Sequence, residues 1–487
     1  MTNFQIFKSS NLLNDVFLRF FKQNSIYILL ALYAVAGIVT IVLFDGTGDS
    51  GDSIMHYLFA RYAPVHPELY FDHWAKPLFV LLSSPFAQFG FTGMKLFNLS
   101  VSVLAFYFTY LTARGLNMPN PLLSVVFLIF MPLYYILTFS GLTEPLFALF
   151  LIGGIFMAVQ RKYIAAAVIV SFMPFVRSEG LIIMVVFGLW LLAGKGWKYL
   201  PLLLTGHLLY TVAGFFIYHD LLWVFTKIPY SSLEPKYGSG PLLHFVNQLN
   251  YVIGIPIYFL TVAGIISYLW HWTKKTILIT APETILVVIG FLLFLIAHSL
   301  FWNLGIFNSM GLKRVLLGVA PLISLIALRG FNFITIELLP GYRIAGRIAG
   351  VLLVAVVAIF PFSGNPAAID WNREMKLTRE QAMARVAATH MLENPVPPNH
   401  KMLYTHPYLS EAMQVDHFDE KRRQDLNKHT LNTLQAGDKV IWDNWFAVIE
   451  TNVSLDDLLG MQGLIREIDI SSKTGDREIR YVVFRKE

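Results

Sequence analysis

The chain has 487 residues, 56% of them hydrophobic and only 14% charged, against roughly 45–50% apolar and 25% charged in soluble domains, which excludes an ordinary soluble protein and indicates a polytopic membrane protein. The absence of cysteine excludes disulfides, thiolate catalysis and cysteine-ligated zinc or iron–sulfur sites. The net charge of +6 is carried largely by short loops between apolar runs, so it reports membrane topology and argues for no nucleic-acid partner.

Apolar runs fall near 26–44, 96–113, 122–139, 144–159, 163–176, 180–194, 199–218, 249–270, 284–301, 313–328 and 344–362, predicting about eleven membrane helices. The first is too long, and too poorly followed by a small-residue cleavage site, for a removed signal peptide. With the N-terminus in the cytoplasm, Lys8, Arg19, Lys22, Arg114, Arg161, Lys162, Lys195, Lys198, Lys274, Lys275, Arg329, Arg343 and Arg347 all fall inside, as the positive-inside rule asks. An odd count then places the tail outside. The runs at 144–159, 163–176 and 180–194 are shorter than the roughly 20 residues needed to cross a 30 Å hydrocarbon core, and suit re-entrant segments or helices ending in a protein-covered cavity. Two long external loops, 45–95 and 219–248, carry helical periodicity, and Tyr57, Phe59, Tyr62, Tyr70, Phe71 and Trp74 suit helices lying along the outer interface. A membrane domain over 1–363 is thus followed by an extracytoplasmic α/β soluble domain over 364–487. Its first element is a helix in LTREQAMARVAATHMLEN with Thr378 as N-cap. Strands are expected at KMLYT, DKVIWD, LIREIDIS and EIRYVVFRK. No internal repeat or low-complexity segment is present.

The first external loop opens with Asp45, Asp49 and Asp52 in DGTGDSGD. Aspartate–glycine strings also make plain solvated turns, but here a carboxylate is placed near the membrane surface, where a base can meet both a lipid and a soluble substrate. With a helix from Ser53 onward, Asp52 and His56 lie four apart on one face, and Asp52 is a first-turn acid near the positive helix end. That placement keeps it ionised, as a general base requires. FDHWAKP adds Asp72, His73 and Lys76, a further carboxylate and a phosphate-binding cation; interfacial snorkelling beside Trp74 is the other use of His73 and Lys76. GLTEP places Glu144 at an outer helix end, PFVRSEG places Arg177 and Glu179 between two short runs, and MGLKRV places Lys313 and Arg314 at the start of a span. Charges in such places are rare and usually face a cavity; they offer cations for a lipid-linked phosphate, or pair structurally with one another. PKYGSGPLLHFV contributes a Gly-Ser-Gly turn and His244.

These stretches resemble the GT-C superfamily of membrane glycosyltransferases, which includes the protein O-mannosyltransferases, the dolichol-linked mannosyltransferases and the bacterial aminoarabinose transferases. GDSIMHY is similar to the acidic motif of that family's first external loop, and FDHWAKPLF to its later Lys-Pro segment. TEPLF and PFVRSEGLI look like its Thr-Glu-Pro and Arg-x-Glu-Gly stretches. YGSGPLLHFVNQLNYVIGIPIYFL is similar to its Tyr-Gly, His-Phe and Pro pattern, and GLKRVLLGVAPLISLIALRG to its Arg and Pro span. The motifs are scattered over most of 26–362. The family often has Asp-Glu or Asp-Asp in the first motif, whereas Ser53 follows Asp52 here, so Asp49 rivals Asp52 as the counterpart of the catalytic carboxylate.

The resemblance implies a GT-C-like helical membrane fold and a polyprenyl-phosphate-linked sugar donor. It implies a hexosyltransferase of mannosyltransferase kind, passing the sugar to a lipid, glycan or protein acceptor at the outer face. In that reading Asp52, or Asp49, takes the acceptor's proton and displacement inverts the anomeric carbon. Lys76, Arg177 and Arg314 hold the donor phosphate, and His56, Asp72, His73, Glu144, Glu179 and His244 contact substrate. Some family members use a divalent cation, Mg²⁺ or Mn²⁺, near the first-loop carboxylates; no stringent ligand spacing is present here, so no cofactor or metal ligand is assigned. The expected setting is a bacterial inner membrane with the N-terminus cytoplasmic. A transporter or lipid flippase would also place charges inside a helical bundle, but the missing inverted repeat and the two long external loops stand against it. A membrane-anchored binding protein explains the tail and not eleven spans.

Overall fold

The computed structural model describes residues 24–229, 233–475 and 477–487; the basic residues Lys8, Arg19 and Lys22 lie outside them. Two compact units divide the chain: one of 1–43, 96–139 and 143–369, the other of 44–95, 140–142 and 370–487.

The first unit is helical. Among the described residues seven helices are long and apolar enough to cross a membrane: Asn24–Leu43, Gly90–Gly115, Trp197–Tyr218, Ile255–Thr273, Glu283–Leu304, Lys313–Glu337 and Arg343–Phe362. The three runs expected to be short remain so, as Glu144–Val159, Tyr163–Phe175 and Gly180–Ala193. The run at 122–139 is broken into Leu122–Ile129 and Pro132–Thr138, because Pro132 has no N–H to continue the first helix and is pre-organised to begin the second. Among its described residues the loop at 219–248 is less helical than its periodicity suggested: Trp223–Thr226 makes one turn, and Pro235 and Pro241 accompany irregular chain over 233–243 before His244–Ile253. Where Ile255–Thr273 crosses Ala320–Asn332, small residues let the backbones touch. A Cβ on Gly264 would stand 2.0 Å from the Ile326 carbonyl oxygen, and one on Gly330 would stand 1.9 Å from that of Leu260. Such approaches supply dispersion contact where no hydrophobic force separates helix from lipid.

The second unit joins the first external loop to the tail. Helices Asp52–Tyr62 and Pro77–Ala87 come from the loop, and Arg379–Glu393 opens the tail behind a capping box built from Thr378 and Gln381. Strands β1 (Met402–Leu403), β2 (Arg423–Gln424), β3 (Lys439–Asp443), β4 (Leu464–Thr474) and β5 (Arg477–Lys486) form one sheet in the order β2-β1-β3-β5-β4. β1 pairs parallel with β2 and β3, whereas β5 runs antiparallel to β3 and β4. Leu403, Val440, Trp442, Val482 and Phe484 form the core on this sheet. The loop aromatics depart from the expected role at an outer interface. Tyr57 and Phe59 are buried, while Tyr62, Tyr70 and Trp74 pack on a core of Phe59, Ala63, Leu69, Ala75 and Val80 that the tail's Phe418 also joins. The Phe59 and Phe418 rings meet edge to face at 4.7 Å, and His66 Nε2 lies 2.9 Å from Asp416 Oδ2. The same pattern of aromatics serves a bilayer surface or a protein core, and here the loop builds a core of its own that Phe418 of the tail joins.

Candidate functional site

In the second unit the three aspartates of the acidic turn have different surroundings. Asp45 is exposed and engaged with the tail: its Oδ1 accepts the Leu377 amide at 3.3 Å and its Oδ2 lies 3.4 Å from Arg385 Nη2. Asp49 Oδ1 accepts the amides of Gly51 at 3.2 Å and Ser53 at 3.0 Å, satisfying donors that the helix start leaves over. Asp52 is the first residue of its helix and is partly exposed, in a position where the aligned peptide dipoles favour negative charge. The next residue anchors the turn, since Ser53 Oγ accepts the Gly141 amide at 2.6 Å. A Cβ on Gly141 would stand 2.3 Å from the Ser53 carbonyl oxygen, so glycine is required there.

One helical turn beyond Asp52, buried His56 stacks on Trp74 at 4.9 Å with Phe79 at its edge. Trp74 belongs to the turn that carries the other expected residues. Asp72 Oδ1 accepts the Ala75 amide at 2.8 Å and Lys76 Nζ donates to the His73 carbonyl at 3.1 Å. Lys76 is 7% exposed and holds φ at +69° immediately before Pro77, a conformation that a lysine adopts only under constraint from its surroundings. Next to His56 in sequence, Tyr57 accepts a hydrogen bond from Arg61 at 2.8 Å, and burial pushes the carboxyl of its neighbour Glu411 above the usual carboxylate range.

The first unit holds a separate charge network. Glu144, at the start of Glu144–Val159, is fully buried. Arg177 Nη1 reaches Glu144 Oε1 at 2.8 Å and Thr143 Oγ1 at 2.9 Å, while its Nη2 reaches Glu179 Oε1 at 2.8 Å. Arg314 Nε approaches the same Glu144 oxygen at 3.6 Å. Two guanidinium groups thus share one buried carboxylate, with the second carboxylate restraining Arg177. His244 Nε2 donates to the Gly311 carbonyl at 2.7 Å, three residues before Arg314, and its ring lies 5.6 Å from that of Trp302. The Gly-Ser-Gly turn closes on the same tryptophan, with the Gly240 amide donating to the Trp302 carbonyl at 3.2 Å.

Glu144, Arg177, Glu179 and Arg314 therefore form one network, with His244 tied to the segment that carries Arg314. Asp49, Asp52 and His56 share another neighbourhood with the Asp72–Lys76 turn. Sequence reasoning missed Thr143, whose hydroxyl accepts from Arg177 Nη1, and His298, which lies within electrostatic reach of Glu179 and Arg177. It also missed Gln381, whose amide contacts the acidic turn. Thr143 was legible inside the TEP motif; a lone histidine within an apolar run gave no such signal. Among the described residues no three His, Asp or Glu side chains converge as a metal set would.

No protein-family model and no curated protein matches the chain. Solved structures do match. ArnT from Cupriavidus metallidurans, bound to undecaprenyl phosphate, aligns with a TM-score of 0.60 and 12% identity over 95% of this chain and 98% of that one. Its apo form gives 0.61 and 13% over the same shares. Arabinofuranosyltransferase AftD from mycobacteria gives 0.51 and 13%, covering 94% of this chain and 40% of that chain. Both are GT-C membrane glycosyltransferases. At such identities the likeness is one of fold, and the fold of this chain is GT-C-like, with the small sheet domain at its C-terminal end.

Proposed function

We propose that this integral membrane protein is a glycosyltransferase that takes a sugar from a polyprenyl-phosphate-linked donor and passes it to a lipid, glycan or protein acceptor on the outer face of the membrane. The observation that carries the reading is the near-full-length fold shared with ArnT, itself bound to undecaprenyl phosphate, together with an Arg177–Glu144–Arg314 network on the motifs that resemble the family's. In the reaction the acceptor oxygen attacks the anomeric carbon, and Asp52 accepts the hydroxyl proton. The bond from that carbon to the phosphate oxygen breaks, and its electron pair leaves with the polyprenyl phosphate. Direct displacement inverts the centre. Arg177 and Arg314, with Lys76, stabilise the charge gathering on the leaving phosphate. His56, Asp72, His73, Glu144, Glu179 and His244 are assigned to substrate contact and orientation. Asp49, one of whose oxygens accepts two helix-start amides, is the rival base.

The sugar is proposed as a hexose of mannosyl type on the sequence motifs, whereas the name of AftD points to arabinofuranose; a panel of polyprenyl-phosphate sugars separates the two. The proposed setting is a bacterial inner membrane with the N-terminus cytoplasmic and the C-terminal domain outside. Repeating the assay with a chelator reads any need for Mg²⁺ or Mn²⁺. The decisive experiment compares membranes carrying the wild type and Asp52→Asn, with Asp49→Asn in parallel. Loss of the base lowers turnover by about 10²–10⁴ while the protein stays folded. Transfer abolished by Asp49→Asn alone moves the base to Asp49. A wild type that forms no glycosidic bond from any donor in the panel sinks the reading and returns lipid transport to the front.

A further inference from the structure

Gln381 is fully buried in the tail, yet its polar atoms serve two elements far apart in sequence. On one side it completes a capping box: its backbone N–H donates to Thr378 Oγ1 at 3.3 Å, and its Oε1 accepts the Thr378 amide at 3.2 Å. On the other side its Nε2 lies 2.9 Å from Thr47 Oγ1, 3.1 Å from the Asp49 carbonyl oxygen and 3.2 Å from that of Ser50. These neighbours fix which end of the amide is nitrogen: Thr378 offers an N–H and needs an acceptor, whereas Asp49 and Ser50 offer carbonyl oxygens and need a donor. The Thr47 hydroxyl lies 2.7 Å from the Asp49 carbonyl oxygen and 3.0 Å from Gln381 Oε1, and can donate its hydrogen to either. The backbone of the acidic turn, whose Asp49 side chain starts the helix of Asp52, is thus bonded at two carbonyls by one amide of the tail. Further ties run from the Gly46 amide to the Met375 carbonyl at 3.0 Å and from Asp45 to Leu377 and Arg385.

A capping box works equally well with glutamate or glutamine at this position, since only an acceptor is needed there. Holding the two carbonyl groups requires N–H donors, which a carboxylate lacks. We propose that Gln381 is a positioning residue for the catalytic turn, acting through Thr47, Asp49 and Ser50 to set where the Asp52 carboxylate stands. The tail domain is therefore part of the apparatus that aligns the base. This inference rests on the glycosyltransferase reading for its kinetic arm only; its structural arm stands without it.

The test uses the full chain in lipid nanodiscs and compares the wild type with Gln381→Glu, Gln381→Met and Thr378→Ala. Gln381→Glu keeps the cap and removes the donors, Gln381→Met removes the donors without adding charge, and Thr378→Ala weakens the same helix start while leaving the amide. Hydrogen exchange of the segment 45–53 and steady-state kinetics with a polyprenyl-phosphate sugar are read on each. Both Gln381 variants are expected to exchange this segment at least about tenfold faster and to lose kcat by about 10²-fold, the penalty of a misplaced catalytic group, with donor KM within about twofold of the wild type. Thr378→Ala is expected to lower the unfolding midpoint without either effect. Gln381→Glu behaving as wild type in exchange would overturn the proposal, because a helix-capping role alone predicts that result. Loosened exchange with unchanged kcat would overturn it equally. A wild type with no transferase activity defeats the proposed function instead, and the exchange arm still decides whether Gln381 holds the turn.

Discussion

Asp443, at the end of β3, gives a stability prediction that needs no knowledge of substrate. It is 3% exposed, and its Oδ1 accepts the amides of Trp445 at 3.0 Å and Phe446 at 2.6 Å. Its Oδ2 has no hydrogen-bond partner among the described residues. Burial outweighs the backbone bonds and pushes the carboxyl from 3.8 up to about 6. A carboxyl raised in the folded state favours folding while it is protonated, so its contribution is complete below about pH 4 and lost as pH rises through about 6. At about 1.4 kcal/mol per tenfold change in proton affinity, the loss is about 3 kcal/mol. Asp443→Asn retains the Oδ1 acceptor and cannot ionise. Any effect of its amide on packing is independent of pH, so the difference in stability between variant and wild type should move in favour of the variant by about 2.4 kcal/mol from about pH 4 to about pH 7.5. Pulse proteolysis of the full chain in urea, following the fragment 370–487, measures that difference, and other titrating groups cancel between the two proteins. Parallel pH curves, or a wild type that gains on the variant with rising pH, would refute the reasoning.

Removing Arg177 tests the buried network. Arg177→Gln leaves fully buried Glu144 with Arg314 Nε at 3.6 Å, and breaking such a pair costs about 3–5 kcal/mol. The double variant Arg177→Gln/Glu144→Gln should recover most of the thermal stability while binding to polyprenyl phosphate stays weakened; recovery of both would leave Arg177 a structural partner. Arg314→Gln should weaken lipid-phosphate binding by about 1.5–3 kcal/mol for the lost charged hydrogen bond, read by equilibrium binding, and unchanged affinity would remove it from the donor site. A reporter fused after Glu487 should signal from the outer side, and a cytoplasmic signal would contradict the proposed topology.

Features written in local pattern were legible, and those depending on distant partners were not. The apolar run after Ser25 shows a helix, and Thr378 followed by Gln381 shows a helix start, because each depends on residues within a few positions of one another. DKVIWD and EIRYVVFRK read as strands and became β3 and β5. Two-residue β2 carries too little pattern to be seen. Pro132 was visible, but its division of one apolar run into two helices depends on the backbone path. Glu144, Arg177 and Arg314 stood out as charges in apolar surroundings, whereas their convergence on one carboxylate oxygen required three separate segments to meet. The aromatics of the first loop misled for a physical reason: burial in lipid and burial against Phe418 select the same side chains. Gln381 falls inside the expected helix start, but its second use was invisible, since the turn that it holds lies outside any local window.

Thr47 and Gln381 are separated by 334 positions. Synthesis at about 5–20 residues per second puts roughly 15–70 s between the emergence of the two. During that interval the glycine-rich turn lacks its amide partner, and the first loop's aromatics lack Phe418. Contacts of such long sequence separation form late because chain closure precedes any return from them. The geometry of the turn is consequently a record of completed translation: the earliest segment to leave the first helix is among the last to acquire its final shape.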